Sequence, residues 1–419
     1  MRQTVVTTLA LLVSLAGCGA TQREVKQAGF DCRERNYDTA EAIAACDLLL
    51  QRGPNTAERA AYLSARGIAY GRADRFQESV ADLTAALAIT PDNLVARLER
   101  AKAEEQLGEK AAARADYDQV LAAAPWTVDA MVGRARLDIE AGNHAAALAD
   151  LDEALELRPE RADALLLRAT AHRRANDFRA AAHDYAEVMK LRPPSANLHL
   201  ARSSALLQAG DHADALADAD AALRLEPASA DAHNQRGRVL FAQGDLDGAR
   251  ADFTRAIELQ PGLADAYRNR GNAQAKAGDV AAAVADFGRA IELSPDAAPA
   301  YLGRGDALAK MGDDRAAVRD LAQAIRLAPD NPVAYVARGN ALLRLGDPRS
   351  AVADYDEAIR LRPGMAAAYY GRGRARVEQE QLAAARADFT EALRLDPALE
   401  AARRQLDNLA RLERRQRVG

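Results

Sequence analysis

Aromatic residues are scarce in this chain of 419 residues, at 5% of the composition, and it contains a single Trp. No segment shows the strict apolar and polar alternation of a half-buried strand. Ala and Leu are abundant instead, and both lose little side-chain entropy in a helix. With 49% hydrophobic and 28% charged residues, the composition predicts a soluble, well-packed and almost entirely α-helical protein.

An excess of positive charge is also missing, since the net charge is −5. A general nucleic-acid binder needs a basic surface to displace phosphate counterions, so no nucleic-acid partner is predicted. The chain has no G-x-S-x-G, no H-E-x-x-H and no Gly-rich phosphate loop between strand and helix. His199 and His233 occupy equivalent positions 34 residues apart without a third ligand, which favours helix packing over a metal site. The sequence therefore predicts no enzymatic activity, no cofactor and no metal.

A long hydrophobic run is lacking too, because the apolar segment from Val5 to Leu15 is too short to span a bilayer. Such a run behind a basic residue is typical of a secretory signal. The following Leu-Ala-Gly-Cys, ending at Cys18, resembles the lipobox of bacterial lipoproteins. That resemblance implies a signal peptide over 1–17, a lipidated Cys18, and, with Gly19 next, the periplasmic face of the outer membrane. The alternative is an ordinary signal cleaved after Ala20.

Cysteine is also scarce, with three residues in the chain. An odd thiol in an exported protein needs an explanation, and lipidation of Cys18 leaves Cys32 and Cys46 as a pair. Because an export signal implies an oxidising compartment, we expect these two to form a disulfide. Closing a loop of about 15 residues stabilises a fold by roughly 3 kcal/mol in the chain-entropy model.

What the chain has in abundance is one repeated pattern, of which ten copies end on prolines spaced 34 residues apart. These prolines are Pro91, Pro125, Pro159, Pro193, Pro227, Pro261, Pro295, Pro329, Pro363 and Pro397. A fixed period of this length indicates stacked supersecondary units, none of which can bury its apolar face alone. Seventeen residues before eight of the prolines stands a Gly or Asn, which tolerates a left-handed helix end. Each unit is therefore predicted to contain two helices with a turn between them.

Side chains within the second helix agree with this prediction. A small residue recurs, as at Ala283, and an aromatic often follows four residues later, as at Phe287, which suits close helix packing. Acids after the turn, Asp245, Asp279, Asp313 and Asp347, are predicted to cap the second helix.

The whole pattern resembles the tetratricopeptide repeat, with a Gly in helix one, Ala and an aromatic in helix two, and a closing Pro. The resemblance implies an all-α fold: a right-handed α-solenoid of ten stacked helical hairpins over 60–399. A linker over 18–29 and an irregular N-terminal hairpin over 30–59 precede it. A capping helix and tail over 400–419 follow, because a solenoid must cover its last apolar face.

One departure from the family pattern is an Arg in every copy, where Leu is usual, followed sixteen residues later by an Asp. The pairs begin with Arg66 and Asp82 and end with Arg372 and Asp388. Eight residues up one helix and eight down the next bring both side chains to about the same height. We predict that they pair and hold the register of each hairpin; a ladder for a charged ligand is the alternative.

The resemblance also implies function, since first helices of such repeats line the groove in which partner proteins bind. On this face the sites 23 residues before each proline are mostly polar, and the sites four residues earlier are apolar in repeats two to five and polar in repeats six and seven. Amides can hold a peptide backbone and Arg can hold a carboxylate. The predicted partner-binding residues are Asn234, Arg238, Arg268, Asn272 and Lys276, together with Asn340 and Arg344. Solvated helix faces without a dedicated ligand are the alternative.

The carboxylate-clamp pattern of some family members is absent, because Gly303, Val333 and Ala337 stand where it requires polar residues. The sequence thus predicts a non-enzymatic scaffold that binds a protein or peptide and meets the membrane only through its lipid anchor. The alternative is a homo-oligomeric structural spacer of the envelope.

Overall fold

The computed structural model describes residues 27, 28, 32 and 39–418, with side chains to residue 411. The predicted signal peptide, Cys18, most of the predicted linker over 18–29 and eight residues of the predicted hairpin over 30–59 lie outside the described residues. In the part that is described there is no β-strand, and none of its helices is both long and apolar enough to cross a bilayer. The predicted all-α repeat solenoid is confirmed.

Twenty-two helices make up the continuous part of the described chain. They are Thr39–Gln51 (α1), Thr56–Arg72 (α2), Phe76–Ile89 (α3), Leu94–Gln106 (α4), Lys110–Ala123 (α5), Val128–Ala141 (α6), His144–Leu157 (α7), Ala162–Arg174 (α8), Phe178–Leu191 (α9), Ala196–Ala209 (α10), His212–Leu225 (α11), Ala230–Gln243 (α12), Leu246–Leu259 (α13), Ala264–Ala277 (α14), Val280–Leu293 (α15), Ala298–Lys310 (α16), Asp314–Leu327 (α17), Pro332–Arg344 (α18), Pro348–Leu361 (α19), Ala366–Glu378 (α20), Leu382–Leu395 (α21) and Glu400–Val418 (α22).

The chain divides between Pro193 and Pro194 into two compact units. Within each unit every helix packs against the next along the chain. The even-numbered helices from α2 to α20 are the first helices of the repeats, and the odd-numbered helices from α3 to α21 are the second helices. At the C-terminal end, α22 places Ala402 and Leu409 against the buried Phe389 of α21.

The turns inside the repeats are left-handed, as predicted. Asn176 has a φ of 62°, and the seven glycines at the equivalent position have φ between 77° and 93°. In the two repeats with neither Gly nor Asn there, Asp74 and Glu380 adopt the same conformation. The four predicted caps are confirmed: Asp245, Asp279, Asp313 and Asp347 each accept a hydrogen bond from a backbone N–H three residues on.

The core between repeats is built from the predicted small and aromatic residues. The recurring alanines of the second helices are fully buried, as at Ala283 and Ala351, and Phe287 and Tyr355 are 0–1% exposed. Tyr355 lies so close to the first helix of the next repeat that a Cβ at Gly371 would stand 2.4 Å from its ring. Glycine is therefore required at that position, because any larger side chain would displace the ring.

All ten predicted Arg–Asp pairs form. In the pair between α14 and α15, Arg270 donates from Nε and Nη2 to Asp286 at 2.7 and 2.8 Å, and the other nine have the same two-pronged geometry. Each Asp is 1–8% exposed, so these groups serve the hairpins rather than a ligand. Several arginines also reach the preceding repeat, as Arg134 does to Asp118 at 2.9 Å. The pairs thus fix the position of each first helix relative to the second helix of its own repeat.

The N-terminal end of the first unit contains the predicted disulfide. Cys32 and Cys46 are bonded, with 5.0 Å between their Cα atoms. Cys46 lies in α1 and is fully buried beside Tyr62 of α2. The bond therefore ties residue 32 to the helix that packs against the first repeat.

Candidate partner-binding surface

Successive first helices contact one another directly within each unit, so their free faces form a continuous surface. In the second unit we define the first-helix surface by the residues 23 positions before each closing proline, namely Ser204, Arg238, Asn272, Asp306, Asn340 and Arg374. These side chains are half-buried or exposed. Because an Arg–Asp pair holds every first helix, this surface is built on a rigid support.

Two of the predicted partner-binding residues meet in one cavity of the second unit. Arg238 of α12 and Asn272 of α14 line a cavity of about 280 Å³, whose apolar walls include Phe241 and Phe253. Next to it, the ammonium of Lys276 stands 4.7 Å from the centre of the Phe241 ring. Polar donors and aromatic walls converge here, which is the usual composition of a binding pocket.

The other predicted residues are engaged with the protein itself. Asn234 accepts a hydrogen bond from Asn269 at 3.0 Å, and Arg268 pairs with Asp265 one turn earlier at 2.8 Å. Two repeats further on, Asn340 accepts a hydrogen bond from Tyr355 at 2.8 Å. In the same helix, Arg344 binds Asp314 at 2.6 Å. The structure thus places Arg238 and Asn272 together in the cavity, and Asn340 and Arg344 on α18, outside its lining.

Burial and charge act together on Arg238 of α12. Burial lowers the pKa of Arg238, and the neighbouring positive charge of Arg268 lowers it further, while Asp265 opposes both effects. The guanidinium of Arg238 therefore lies where a positive charge is poorly compensated by the protein.

A second cavity, in the first unit, escaped the sequence analysis. It measures about 330 Å³ and is lined mainly by residues of α2, α4, α6 and α8 and of the turn before α8, among them Lys102, Glu105, Asp129, Arg136 and Arg161. Here three basic groups have acidic partners: Arg136 binds Glu105 at 2.6 Å, Arg161 binds Asp129 at 2.5 Å, and Lys102 lies 3.3 Å from Asp129. Acids standing 31 or 32 residues before an Arg, about one repeat apart, were the signal that could have revealed it.

The two equivalent histidines do not form a shared site. His199 Nδ1 lies 2.8 Å from Asp218, and His233 Nδ1 lies 3.0 Å from Asp252. Each imidazole thus packs against the paired Asp of its own repeat. Across the residues that the structure describes, no group of three or more His, Cys, Asp or Glu side chains is arranged to hold a metal ion.

The fold and its surface define an α-helical repeat protein of the solenoid class. The family model described as "Tetratricopeptide repeat" matches residues 64–125, 132–196, 200–264 and 336–400. A related one, "TPR repeat", matches 275–312 and 305–346. The chain belongs to the tetratricopeptide-repeat family.

Similar solved structures include yeast Tom70, at 18% identity and a TM-score of 0.49, with 94% of this chain and 96% of that chain covered. A tetratricopeptide-repeat protein from Parabacteroides merdae is 21% identical over 60% of this chain and 99% of its own, with a TM-score of 0.42. YrrB, described as a TPR protein with an unusual peptide-binding site, is 23% identical over 44% of this chain and 95% of its own, with a TM-score of 0.36. No curated protein matches this sequence significantly.

Proposed function

We propose that this protein is a scaffold of the bacterial envelope that holds a partner protein on the first-helix surface of its second unit. Proteins of this family typically mediate protein–protein interactions. The observation that carries the proposal is the cavity in which Arg238 and Asn272 meet beside Phe241. It combines a partly buried cation, an amide and aromatic walls, and such groups are enriched where partner side chains insert.

The anchor in this proposal is Cys18, which carries acyl chains on the periplasmic face of the outer membrane. The apolar run from Val5 to Leu15 and the residues Leu15 to Cys18 support it. The Cys32–Cys46 disulfide supports an oxidising compartment and leaves Cys18 as the unpaired cysteine. Acyl chains contribute about 0.8 kcal/mol per buried CH₂, so several chains suffice to hold a protein on a bilayer.

Replacement of the lipidated residue tests the anchor. We expect wild-type protein to incorporate radiolabelled palmitate and to sediment with outer membranes, and Cys18→Ser to do neither. A wild-type protein that is unlabelled and released into the soluble periplasm would point to an ordinary signal cleaved after Ala20. Palmitate labelling of the Cys18→Ser variant would contradict the assignment of the lipidated residue.

Site-specific crosslinking in living cells tests the partner surface. We expect a photoreactive residue at Ala242, which lines the cavity, to capture a partner protein. Arg268→Glu with Asn272→Ala should reduce the capture about tenfold, corresponding to roughly 1.4 kcal/mol. Both the reversed charge and the lost amide would weaken contact with an extended segment, while helicity measured by circular dichroism stays unchanged.

A matched control lies on the second helix of the same repeat. Arg289 and Glu292 of α15 form an exposed pair at 2.7 Å, and Arg289→Glu with Glu292→Ala should leave the capture unchanged. Equal capture by both double variants would place the partner elsewhere. A crosslink between two copies of this chain, with a stable oligomer in light scattering, would instead favour the homo-oligomeric spacer.

A further inference from the structure

Buried polar side chains in the first helices of the second unit gather around the Arg238 cavity. Ser203, Gln235 and Asn269 are 0%, 6% and 8% exposed. The position of Ser203, directly after the paired Arg, holds Gly or Ala in the other nine repeats. The position of Gln235 and Asn269, directly before that Arg, holds Ala, Gly or Leu in seven of the ten repeats. Burying polar groups costs free energy unless they are hydrogen-bonded, so this departure from the repeat pattern requires an explanation.

Two of these polar groups, Ser203 and Gln235, form a chain of hydrogen bonds that ends on the guanidinium of Arg238. Ser203 Oγ donates to the backbone oxygen of Ala215 at 2.7 Å, and Gln235 Nε2 donates to Ser203 Oγ at 3.1 Å. Gln235 Oε1 in turn accepts a hydrogen bond from Arg238 Nη1 at 2.7 Å. The relay therefore engages Arg238 through Nη1 alone, and the same side chain lines the cavity.

Arg238 differs in one respect from its counterpart in the first unit. Arg136 occupies the same position in its repeat and binds Glu105, which stands 31 residues earlier, at 2.6 Å. The residue 31 positions before Arg238 is Leu207, which lines the cavity. Among the residues that the structure describes, no carboxylate lies within 4 Å of Arg238. Asp265, the acid whose charge acts on it, is already paired with Arg268.

The electrostatic consequence separates the two arginines. Burial lowers the pKa of Arg136, but the hydrogen bond and the charge of Glu105 outweigh burial and leave that pKa above its ordinary value. Arg238 is likewise partly buried but lacks the acid, and its pKa is lowered. The guanidinium of Arg238 is thus held in place by buried hydrogen bonds but has no anionic partner within the protein. Such a group favours the binding of an anion from another molecule.

We infer that the Arg238 cavity takes the carboxylate of a Glu or Asp side chain within an extended segment of the partner protein. This inference rests on the proposed function and specifies the chemistry of its ligand. The planar guanidinium edge matches a carboxylate, and Asn272 adds an amide donor beside it. Phe241 and Phe253 provide apolar walls for the methylene stem. A phosphate fits less well, because the cavity lining contains one guanidinium and no second Arg or Lys.

Selection of short random peptides displayed on phage, against the full-length protein in detergent, tests the inference. We expect retained peptides to carry Glu or Asp at one internal position at least about fivefold more often than the starting library. Leu207→Glu should abolish this enrichment, because it places a carboxylate against Arg238 as Glu105 is placed against Arg136. Leu207→Gln, of similar size but uncharged, should keep the enrichment and reports on the fold.

Each result decides the matter. Acidic enrichment that survives Leu207→Glu would overturn the inference, as would enrichment lost equally in Leu207→Gln. Peptides retained without any acidic preference would also overturn it, yet would leave the proposed function standing, provided that Arg268→Glu with Asn272→Ala weakens their retention. If no peptide is retained, or if that double variant has no effect, the proposed function fails as well.

Two further measurements separate the other sources of an anion. Synthetic versions of the selected peptides are compared with a free C-terminal carboxylate and with a C-terminal amide, and inorganic phosphate is added as a competitor. Binding that requires the free C-terminal carboxylate, or that phosphate displaces, would exclude the side-chain assignment.

Discussion

Asp286→Ala is expected to lower the local free energy of unfolding of the α14–α15 hairpin by about 3–5 kcal/mol. Asp286 accepts two hydrogen bonds from Arg270 and is 7% exposed. Its removal leaves a partly buried guanidinium without its carboxylate, and the lost desolvation energy is not recovered. The stability should be measured by amide hydrogen exchange across α14 and α15, because a long repeat array need not unfold in one step.

Two control variants separate a buried unpaired charge from the loss of any ion pair. Arg289→Ala breaks the exposed pair with Glu292 and should leave exchange in α15 nearly unchanged. Arg270→Met with Asp286→Leu removes both charges and should destabilise much less than Asp286→Ala alone. If Asp286→Ala and Arg289→Ala had equal effects, the ten pairs would contribute no more than surface ion pairs.

Glu104→Leu is expected to stabilise the first unit above neutral pH by about 3–4 kcal/mol, because each unit by which the pKa of Glu104 is raised is worth about 1.4 kcal/mol. Glu104 of α4 is 6% exposed, and its Oε2 has no hydrogen-bond partner. Burial, and then the charge of Asp116, raises the pKa of Glu104 to about 7, although Arg100 opposes the shift. Leu occupies the equivalent position in four repeats, at Leu206, Leu240, Leu308 and Leu342, so the substitution suits the fold.

The same shift sets the direction of a pH dependence. Between the ordinary pKa of 4.5 and about 7, the folded protein holds a proton on Glu104 that the unfolded chain has released. The stability of the first unit should therefore fall as the pH rises from 4.5 through 7 and level off above it. Thermal unfolding of the wild type and Glu104→Leu at several pH values would show the two curves meeting at low pH. The exposed Glu153→Gln should follow the wild type; a wild-type curve parallel to that of Glu104→Leu would contradict the prediction.

Much of the fold could be predicted because the constraints are local and repeated ten times. Left-handed turns, helix caps and closing prolines act on the backbone within a few residues, so spacing alone locates them. The pairing of Arg270 with Asp286 was predictable as well, since equal distances on either side of one turn bring two side chains to equal height. Membership of the family follows from the same regularities.

The candidate site could be predicted only in part. Arg238 and Asn272 were assigned from helix position, and the structure brings them into one cavity. Their neighbours Asn340 and Arg344 lie on α18 and bind Tyr355 and Asp314 instead. Sequence reasoning also missed the first-unit cavity and the relay through Ser203 and Gln235, because both depend on which side chains of different first helices come within hydrogen-bond reach.

By itself, the sequence determined the number of helices per repeat, their ends and the ten internal ion pairs, all of which depend on neighbours along the chain. Only the tertiary structure decided that Arg136 is neutralised by Glu105 while Arg238 shares a cavity with Leu207. These partners stand 31 residues apart on consecutive first helices, and their contact follows from how closely those helices pack. Coulomb and hydrogen-bond energies change steeply over a few ångströms, and that distance is set by the packing of the buried side chains between the helices.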